Sequence, residues 1–188
     1  IENNLSPNAV DAVIPIAKRL PVITEYFIHG KAYIAKSVYE NLSPYGLTES
    51  HVRYILNSRT PVENFWEKMQ KSHAILENIN LIFRDMDLRK QVWAELRALG
   101  LCSVTASTPE NIEITSPLAT KAKALETLCA LLGIEAEHVL AMGDSDNDLP
   151  MLEFAGIGVA MANGEAHIKA AADMIAEDCN HFGAAKIL

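Results

Sequence analysis

Three carboxylates and an amide directly follow a short apolar run in the second half of the chain. Residues 139–142 are Val-Leu-Ala-Met, and residues 143–148 are Gly-Asp-Ser-Asp-Asn-Asp. The next segment, residues 149–154, has a helix-like pattern, so the acidic turn stands at the carboxyl end of a predicted strand. Open α/β sheets bind their ligands at that end. The arrangement therefore predicts an α/β sheet that holds a metal site at this turn.

Composition and charge narrow the class of protein further. Of the 188 residues, 49% are hydrophobic and 21% are charged, which suffices for one sizeable core or two small ones. The formal net charge of −8 argues against a nucleic-acid partner. The three cysteines include no close pair, so we expect reduced packing residues rather than disulfides or a zinc site. Because there is no apolar run of membrane-spanning length and no charged leader, we expect no membrane partner and a cytoplasmic location.

The predicted helices and strands divide the chain into three segments. Residues 1–20 contain a helix in which Pro15 predicts a kink or an early end. Residues 21–115 form an α+β unit with a hairpin at Gly30, and we expect four antiparallel strands covered by two main helices. Residues 116–188 alternate between helix and strand, which is typical of a parallel sheet with crossover helices. Their strands make only half a sheet, so we expect the remaining strands to come from elsewhere.

Two further motifs accompany the acidic turn in a fixed order. Lys121 lies before the turn in residues 119–125, Ala-Thr-Lys-Ala-Lys-Ala-Leu, and residues 158–164, Gly-Val-Ala-Met-Ala-Asn-Gly, follow it. Residues 151–152, Met-Leu, stand directly behind the turn. Together these motifs resemble the haloacid dehalogenase superfamily, and most of all its Cof-type (subfamily IIB) sugar-phosphate phosphatases. The resemblance covers most of the chain.

The resemblance implies a Rossmann-like α/β core, incomplete here, with an inserted α+β cap of type IIB. Residues 116–188 would be the C-terminal half of that core, and residues 21–115 would be the cap. Residues 1–20 would also belong to the core, because they look like the helix that precedes the superfamily's second motif. A cap of this kind closes over the site and excludes water, so we expect it to select the substrate.

The resemblance also implies an activity, which is the Mg²⁺-dependent hydrolysis of small phosphorylated metabolites, sugar phosphates above all, through an aspartyl-phosphate. Asp144 would be a metal ligand, and Asp148 would lie close to the metal, either as a water-mediated ligand or as the group that holds Lys121 in place. Lys121 would neutralise the charge of the phosphoryl group, and Asn147 would donate a hydrogen bond to that group. Asn163 would complete the substrate-binding set and steady the acidic turn. The expected catalytic residues are thus Lys121, Asp144 and Asp148.

The nucleophile of such a phosphatase is missing from its usual place. In the superfamily, the nucleophile and the general acid lie in an Asp-x-Asp-x-Thr motif after the first strand, and a second motif supplies a Ser or Thr that binds phosphate. Residues 17–22, Ala-Lys-Arg-Leu-Pro-Val, run almost directly from the first helix into the cap-like segment. The first residue is Ile1 rather than Met. We therefore expect the native chain to begin earlier and to carry the nucleophile in that upstream segment.

One pair of aspartates within the chain has the spacing of the missing motif. Asp85 and Asp87 follow the apolar run at residues 79–83. However, Leu88 and Arg89 replace the expected Gly-Thr, and helical spacing begins at Leu88. The pattern therefore favours Asp85 or Asp87 as the N-cap of a helix over a catalytic role.

Two classes of function remain open. The first is a Mg²⁺-dependent phosphatase whose nucleophile lies outside these residues, and the second is a non-catalytic remnant that binds a phosphorylated ligand or a protein partner. A calcium loop of the EF-hand type is excluded, since Leu149 stands where that loop needs Gly and Ala155 stands where it needs Glu. The sequence indicates neither the sugar nor the oligomeric state.

Overall fold

The structure is a computed structural model that describes residues 3–188. It divides the chain into two compact units, with the division between Pro117 and Leu118. Each unit has a sheet of its own. None of the helices in the described residues is long and apolar enough to cross a lipid bilayer.

The described part of the first unit contains a six-stranded sheet and five α-helices. The strands are β1 (Ile23–Ile28), β2 (Lys31–Ala35), β3 (Arg59–Val62), β4 (Asn78–Ile82), β5 (Ser103–Thr105) and β6 (Asn111–Thr115). The helices are α1 (Pro7–Lys18), α2 (Lys36–Tyr39), α3 (Glu49–Ser58), α4 (Phe65–Lys71) and α5 (Met86–Ala98). Short 3₁₀ turns cover Ser43–Tyr45 and His73–Ile75.

The strand order of this sheet is β3-β2-β1-β4-β6-β5. Neighbouring strands are antiparallel except β2 and β3, which run parallel. The sheet therefore has six strands rather than the predicted four. Strand β3 was not predicted, because it is a four-residue edge strand that contains Pro61, and a proline cannot donate to the ladder. The predicted hairpin is confirmed, since His29 and Gly30 both have positive φ, as a type I′ turn requires.

Helix α1 packs on the sheet of the first unit. Val10 and Val13 on its apolar face belong to the same buried cluster as Ile79 of β4. By its contacts, α1 groups with the first unit, and the assignment of residues 1–20 to the same core as residues 116–188 stays a prediction. The apolar face of α1 is buried in this cluster together with residues of α4 and of the sheet, which stabilises its position in the first unit.

Pro15 does not bring the predicted early end of α1, which continues to Lys18. The proline ring lies on the exposed side of the helix. The buried residues around it, Ile14 and Ile16, keep that turn in place through their packing. Tertiary packing has therefore overridden the local preference of proline.

Residues 118–188, all of which are described, form a parallel sheet with the order β7-β8-β9. Its strands are β7 (Leu140–Gly143), β8 (Ile157–Met161) and β9 (Met174–Ala176), and its helices are α6 (Lys121–Leu132), α7 (Leu149–Phe154), α8 (Ala166–Ala171) and α9 (Gly183–Ile187). Short 3₁₀ turns cover Ala136–His138 and Cys179–His181. This order matches the alternation of helix and strand that the sequence predicted.

One face of the small sheet is covered and the other is partly open. Ala141 and Ala160 pack against Leu152 of α7 and Ile168 of α8 in a buried cluster. On the opposite face, the three apolar side chains Leu140, Ile157 and Met174 remain 38%, 41% and 47% exposed. Residues 118–188 thus bury one face of a three-stranded sheet, which is the half sheet that the sequence predicted.

Candidate active site

The acidic turn connects the end of β7 to the start of α7, as the sequence predicted. Gly143 closes the strand, and the turn then folds so that the Asp148 side chain returns beneath it. A Cβ added at Gly143 would lie only 2.3 Å from Cβ and 2.6 Å from Cγ of Asp148. Position 143 therefore has to be glycine for Asp148 to occupy this place.

Asp148 is the buried anchor of the turn. Its Oδ2 accepts hydrogen bonds from the backbone N–H groups of Asp144, at 3.0 Å, and Ser145, at 3.1 Å. Its Oδ1 forms an ion pair with Lys121 Nζ. Both carboxylate oxygens are thus engaged, which stabilises the charge of a side chain that is almost fully buried.

Lys121 reaches the turn from the first position of α6. Thr120 caps that helix and accepts a hydrogen bond from the backbone N–H of Lys123 at 3.2 Å. Lys121 Nζ donates to Asn147 Oδ1 at 3.4 Å in addition to its ion pair with Asp148. The lysine side chain is 49% exposed, so its ammonium is held by the turn and remains accessible with a donor to spare.

Asp144 is held from the end of the neighbouring strand. Its Oδ2 accepts a hydrogen bond from Asn163 Nδ2 at 2.9 Å, and its Oδ1 accepts one from Ser145 Oγ at 3.1 Å. Asn163 follows β8, and its Oδ1 accepts a hydrogen bond from the backbone N–H of Cys179 at 3.1 Å. The backbones of the two strand ends approach closely at Gly164, where an added Cβ would lie 2.9 Å from the Asp144 carbonyl oxygen. The orientation of the Asp144 carboxylate is therefore fixed from two sides.

The two aspartates differ in their capacity to bind a metal. Asp144 is partly exposed and uses about two of its four or so acceptor sites, so it fits a Mg²⁺ ion that completes its octahedron with water and phosphate oxygens. Asp148 fits a direct metal contact poorly, because Lys121 and two backbone N–H groups already occupy its oxygens. Among residues 3–188 there is no group of three or more His, Cys, Asp or Glu side chains that could hold a metal.

A histidine that the sequence did not single out also contacts the turn. His167 Nε2 lies 2.6 Å from Asp146 Oδ1, and its Nδ1 lies 3.6 Å from Glu165 Oε2. His167 belongs to α8 and lies 21 residues beyond its partner. No local signal predicts such a contact, because it depends on how α8 packs on the sheet.

Asp85 is the N-cap of α5, as the sequence favoured. Its Oδ1 accepts hydrogen bonds from the backbone N–H groups of Asp87, at 2.9 Å, and Leu88, at 3.0 Å. The capping prediction is therefore confirmed. The Asp85-Met86-Asp87 segment has the structural role that its helical context indicated.

Residues 1–188 match the family of haloacid dehalogenase-like hydrolases over their whole length, and the chain belongs to this family. The chain is 41% identical over 104 residues to 5-amino-6-(5-phospho-D-ribitylamino)uracil phosphatase of Bacillus subtilis. The match covers 55% of this chain and 42% of that protein. It is also 40% identical over 150 residues to a phosphoglycolate phosphatase of Methanosarcina acetivorans, and that match covers 73% of this chain and 66% of that protein.

The fold also matches a solved structure of the same superfamily. A sugar phosphatase of haloacid dehalogenase subclass IIB superposes with a TM-score of 0.75 at 19% identity, over 98% of this chain and 66% of that one. The predicted fold class, an α/β haloacid dehalogenase fold, is thereby confirmed. The chain spans 42% and 66% of the length of the two curated relatives.

Proposed function

We propose that these residues are part of a Mg²⁺-dependent phosphatase that hydrolyses small phosphorylated metabolites, with sugar phosphates as the substrate class. The observation that carries the proposal is the anchored cation at the acidic turn, where buried Asp148 holds the half-exposed ammonium of Lys121 beside partly exposed Asp144. A fixed positive charge near a carboxylate that has unused acceptor sites suits a phosphate ester and a divalent cation. Membership of the hydrolase family and the phosphatase names of the relatives support the same activity.

Each residue of the site has a distinct part in this proposal. Lys121 neutralises a phosphate oxygen, and Asp148 positions Lys121. Because Asn147 Oδ1 accepts from Lys121, its Nδ2 is left to donate to the phosphoryl group. Asp144 would hold Mg²⁺, oriented by Asn163. When bound, Mg²⁺ would supply charge neutralisation for the phosphate oxygens.

In this proposal, the chain contains two parts of the enzyme. Residues 116–188 are the C-terminal half of the core, to which residues 1–20 also belong, and residues 21–115 are the cap that selects the substrate. The aspartate that becomes phosphorylated belongs to a segment outside residues 1–188. A cytoplasmic location is part of the proposal, and it rests on three cysteines that are free in the structure.

The first experiment is an intact-mass measurement of the native polypeptide. These 188 residues have a mass of 20.6 kDa. We expect the native polypeptide to be heavier by the mass of several tens of residues, because the phosphatase needs an upstream strand that carries the nucleophile. A native mass of 20.6 kDa would instead support the alternative function, a non-catalytic protein that binds a phosphorylated ligand or a protein partner.

The second experiment compares two lysines of α6 in the native polypeptide. Lys121→Met should lower the rate of p-nitrophenyl phosphate hydrolysis by about 10²–10³-fold, the usual cost of one group that stabilises transition-state charge. Lys123→Met is the matched control, because Lys123 pairs with Glu126 and does not touch the acidic turn. Equal rates for the two variants would contradict the role of Lys121.

A further inference from the structure

A cleft in the first unit is lined by none of the residues of the candidate active site. Its volume is about 410 Å³, and its apolar wall consists of Pro21, Val22, Pro44, Tyr45 and Leu88. These residues come from the segment just before β1, the 3₁₀ turn after α2 and the first turn of α5. The residues of the acidic turn and its partners belong to the second unit. The roles proposed for the acidic turn and its partners therefore use none of the side chains of this cleft.

Arg84 supplies a positive charge to the cleft. It forms no hydrogen bond or ion pair with any of residues 3–188, in contrast to Arg19, which pairs with Glu95, and Arg59, which pairs with Glu25. The chain as a whole has 24 acidic and 16 basic residues. An arginine without a carboxylate partner is therefore available to a ligand in an otherwise acidic protein.

The position of the Arg84 side chain is constrained by the turn beside it. Gly46 follows the 3₁₀ turn with a φ of +61°, and a Cβ added there would lie 3.1 Å from Nε and 3.3 Å from Cζ of Arg84. The Arg84 side chain thus passes close to the backbone at Gly46 and is exposed to solvent. A side chain at position 46 would crowd it.

Asp85 limits the kind of anion that the cleft accepts. Its carboxylate also lines the cleft, where its Oδ1 is committed to capping α5. A guanidinium binds a planar carboxylate through two parallel hydrogen bonds. The neighbouring negative charge of Asp85 disfavours a dianion more strongly than a monoanion. One available arginine next to one aspartate therefore suits a ligand with a single negative charge.

We propose that this cleft binds a small monocarboxylate with an apolar body, through residues that the candidate active site does not include. The apolar wall takes the body of the ligand, and Arg84 takes its carboxylate. The volume is at the lower end of the roughly 300–1,000 Å³ that small-molecule sites occupy, so it suits a ligand of about one ring.

The test is a titration of the protein with benzoate, followed through the backbone amide signals in NMR spectra. We expect saturable shifts at Tyr45, Arg84 and Leu88, and an affinity at least about tenfold higher than for benzyl alcohol, which has the same ring without the charge. Phenyl phosphate, a dianion at pH 8, should bind more weakly than benzoate. Tighter binding of phenyl phosphate would overturn the assignment to a monocarboxylate.

Variants locate the binding. Arg84→Met should weaken benzoate binding at least about tenfold, whereas Arg53→Met, a change at another exposed arginine of the first unit, should leave it unchanged. Leu88→Phe, which fills the cleft and keeps Arg84, should also weaken it. Lys121→Met separates this proposal from the phosphatase proposal, because it should leave benzoate binding intact. Absence of saturable binding, equal affinity in Arg84→Met, or loss of binding in Lys121→Met would each overturn the proposal.

Discussion

Gly143 and Asp148 show how a single position controls the geometry of the candidate site. The buried carboxylate fixes the turn through two backbone N–H groups and fixes the cation through Lys121. It reaches that place only because Gly143 has no side chain. A residue that carries no chemistry is therefore as necessary to the site as those that do.

Gly143→Ala should damage both activity and stability. The added Cβ would have to displace the Asp148 side chain, and overpacking of this kind costs about 1–3 kcal/mol. Urea unfolding followed by circular dichroism and a phosphatase assay of the native polypeptide measure the two effects. Gly133→Ala is the control, because Gly133 has a φ of +66° but no atom within 4 Å of an added Cβ. The Gly133→Ala variant should lose some stability through backbone strain and retain its activity. Equal losses of activity in both variants would contradict the special role of Gly143.

Cys179 should react with iodoacetamide faster than Cys102. Cys179 is exposed, Cys129 is buried, and burial raises the pKa of the Cys102 thiol above its ordinary value. Since the thiolate is the reactive form, a raised pKa lowers the reactive fraction at pH 8. We expect Cys179 to be modified first and Cys102 more slowly, as measured by peptide mass spectrometry over time. In denaturant, the difference should disappear, and a native protein in which Cys102 reacts first would contradict this expectation.

At the scale of elements, a polar row crosses the six-stranded sheet. Arg59 of β3 donates two hydrogen bonds to Glu25 of β1, at 2.7 and 2.9 Å, and Asn80 of β4 donates a third at 3.0 Å. Burial lowers the pKa of Arg59, but the hydrogen bond and the charge of Glu25 outweigh this effect, so the pKa lies above its ordinary value. Asn111 of β6 continues the row by donating to Asn80 Oδ1 at 3.1 Å. These side chains connect four strands, including β3, whose own ladder is weakened by Pro61.

Glu25→Gln should destabilise the first unit by about 3–5 kcal/mol, because it leaves the largely buried charge of Arg59 without its counter-charge. Both tryptophans, Trp66 and Trp93, lie in the first unit, so tryptophan fluorescence during urea unfolding reports on that unit. The control is Glu63→Gln, which removes the exposed partner of Lys36 and should lower the free energy of unfolding by no more than about 1 kcal/mol. A similar loss of unfolding free energy in the two variants would mean that the buried pair is not required for stability.

For the whole molecule, the proposed activity depends on groups beyond these 188 residues. Asp144 supplies one carboxylate to a cation, and the described residues contain no complete metal cluster. The remaining ligands would be water, phosphate oxygens and the nucleophile of the upstream segment. The activity is thus a property of the complete polypeptide.

Chelation with EDTA should abolish p-nitrophenyl phosphate hydrolysis by the native polypeptide, and added Mg²⁺ should restore it. Asp144→Asn should require a higher Mg²⁺ concentration for half-maximal activity, because an amide binds a hard cation more weakly than a carboxylate does. Asp146→Asn serves as the comparison, since Asp146 pairs with His167 and not with the proposed metal position. Activity in EDTA, or an unchanged Mg²⁺ requirement in Asp144→Asn, would contradict the role of Asp144.

The sequence by itself determined those features that arise from neighbouring residues. The alternation of helix and strand after residue 118, the acidic turn at the end of a strand, the hairpin at Gly30 and the N-cap at Asp85 all follow from local periodicity, turn geometry and capping. The candidate site residues could be named because they lie in short contiguous motifs that resemble those of the haloacid dehalogenase superfamily. The contacts among these residues could not be predicted from the motifs. Asp148, for example, could have been a water-mediated metal ligand or the group that holds Lys121.

Only the tertiary structure decided the contacts between distant parts of the chain. It paired Lys121 with Asp148, brought His167 to Asp146, added β3 beside β2 and packed α1 on the sheet of the first unit. The buried pair of Arg59 and Glu25 joins residues 34 positions apart. Such contacts depend on the path of the whole backbone and on which apolar faces bury each other, and short stretches of sequence contain neither.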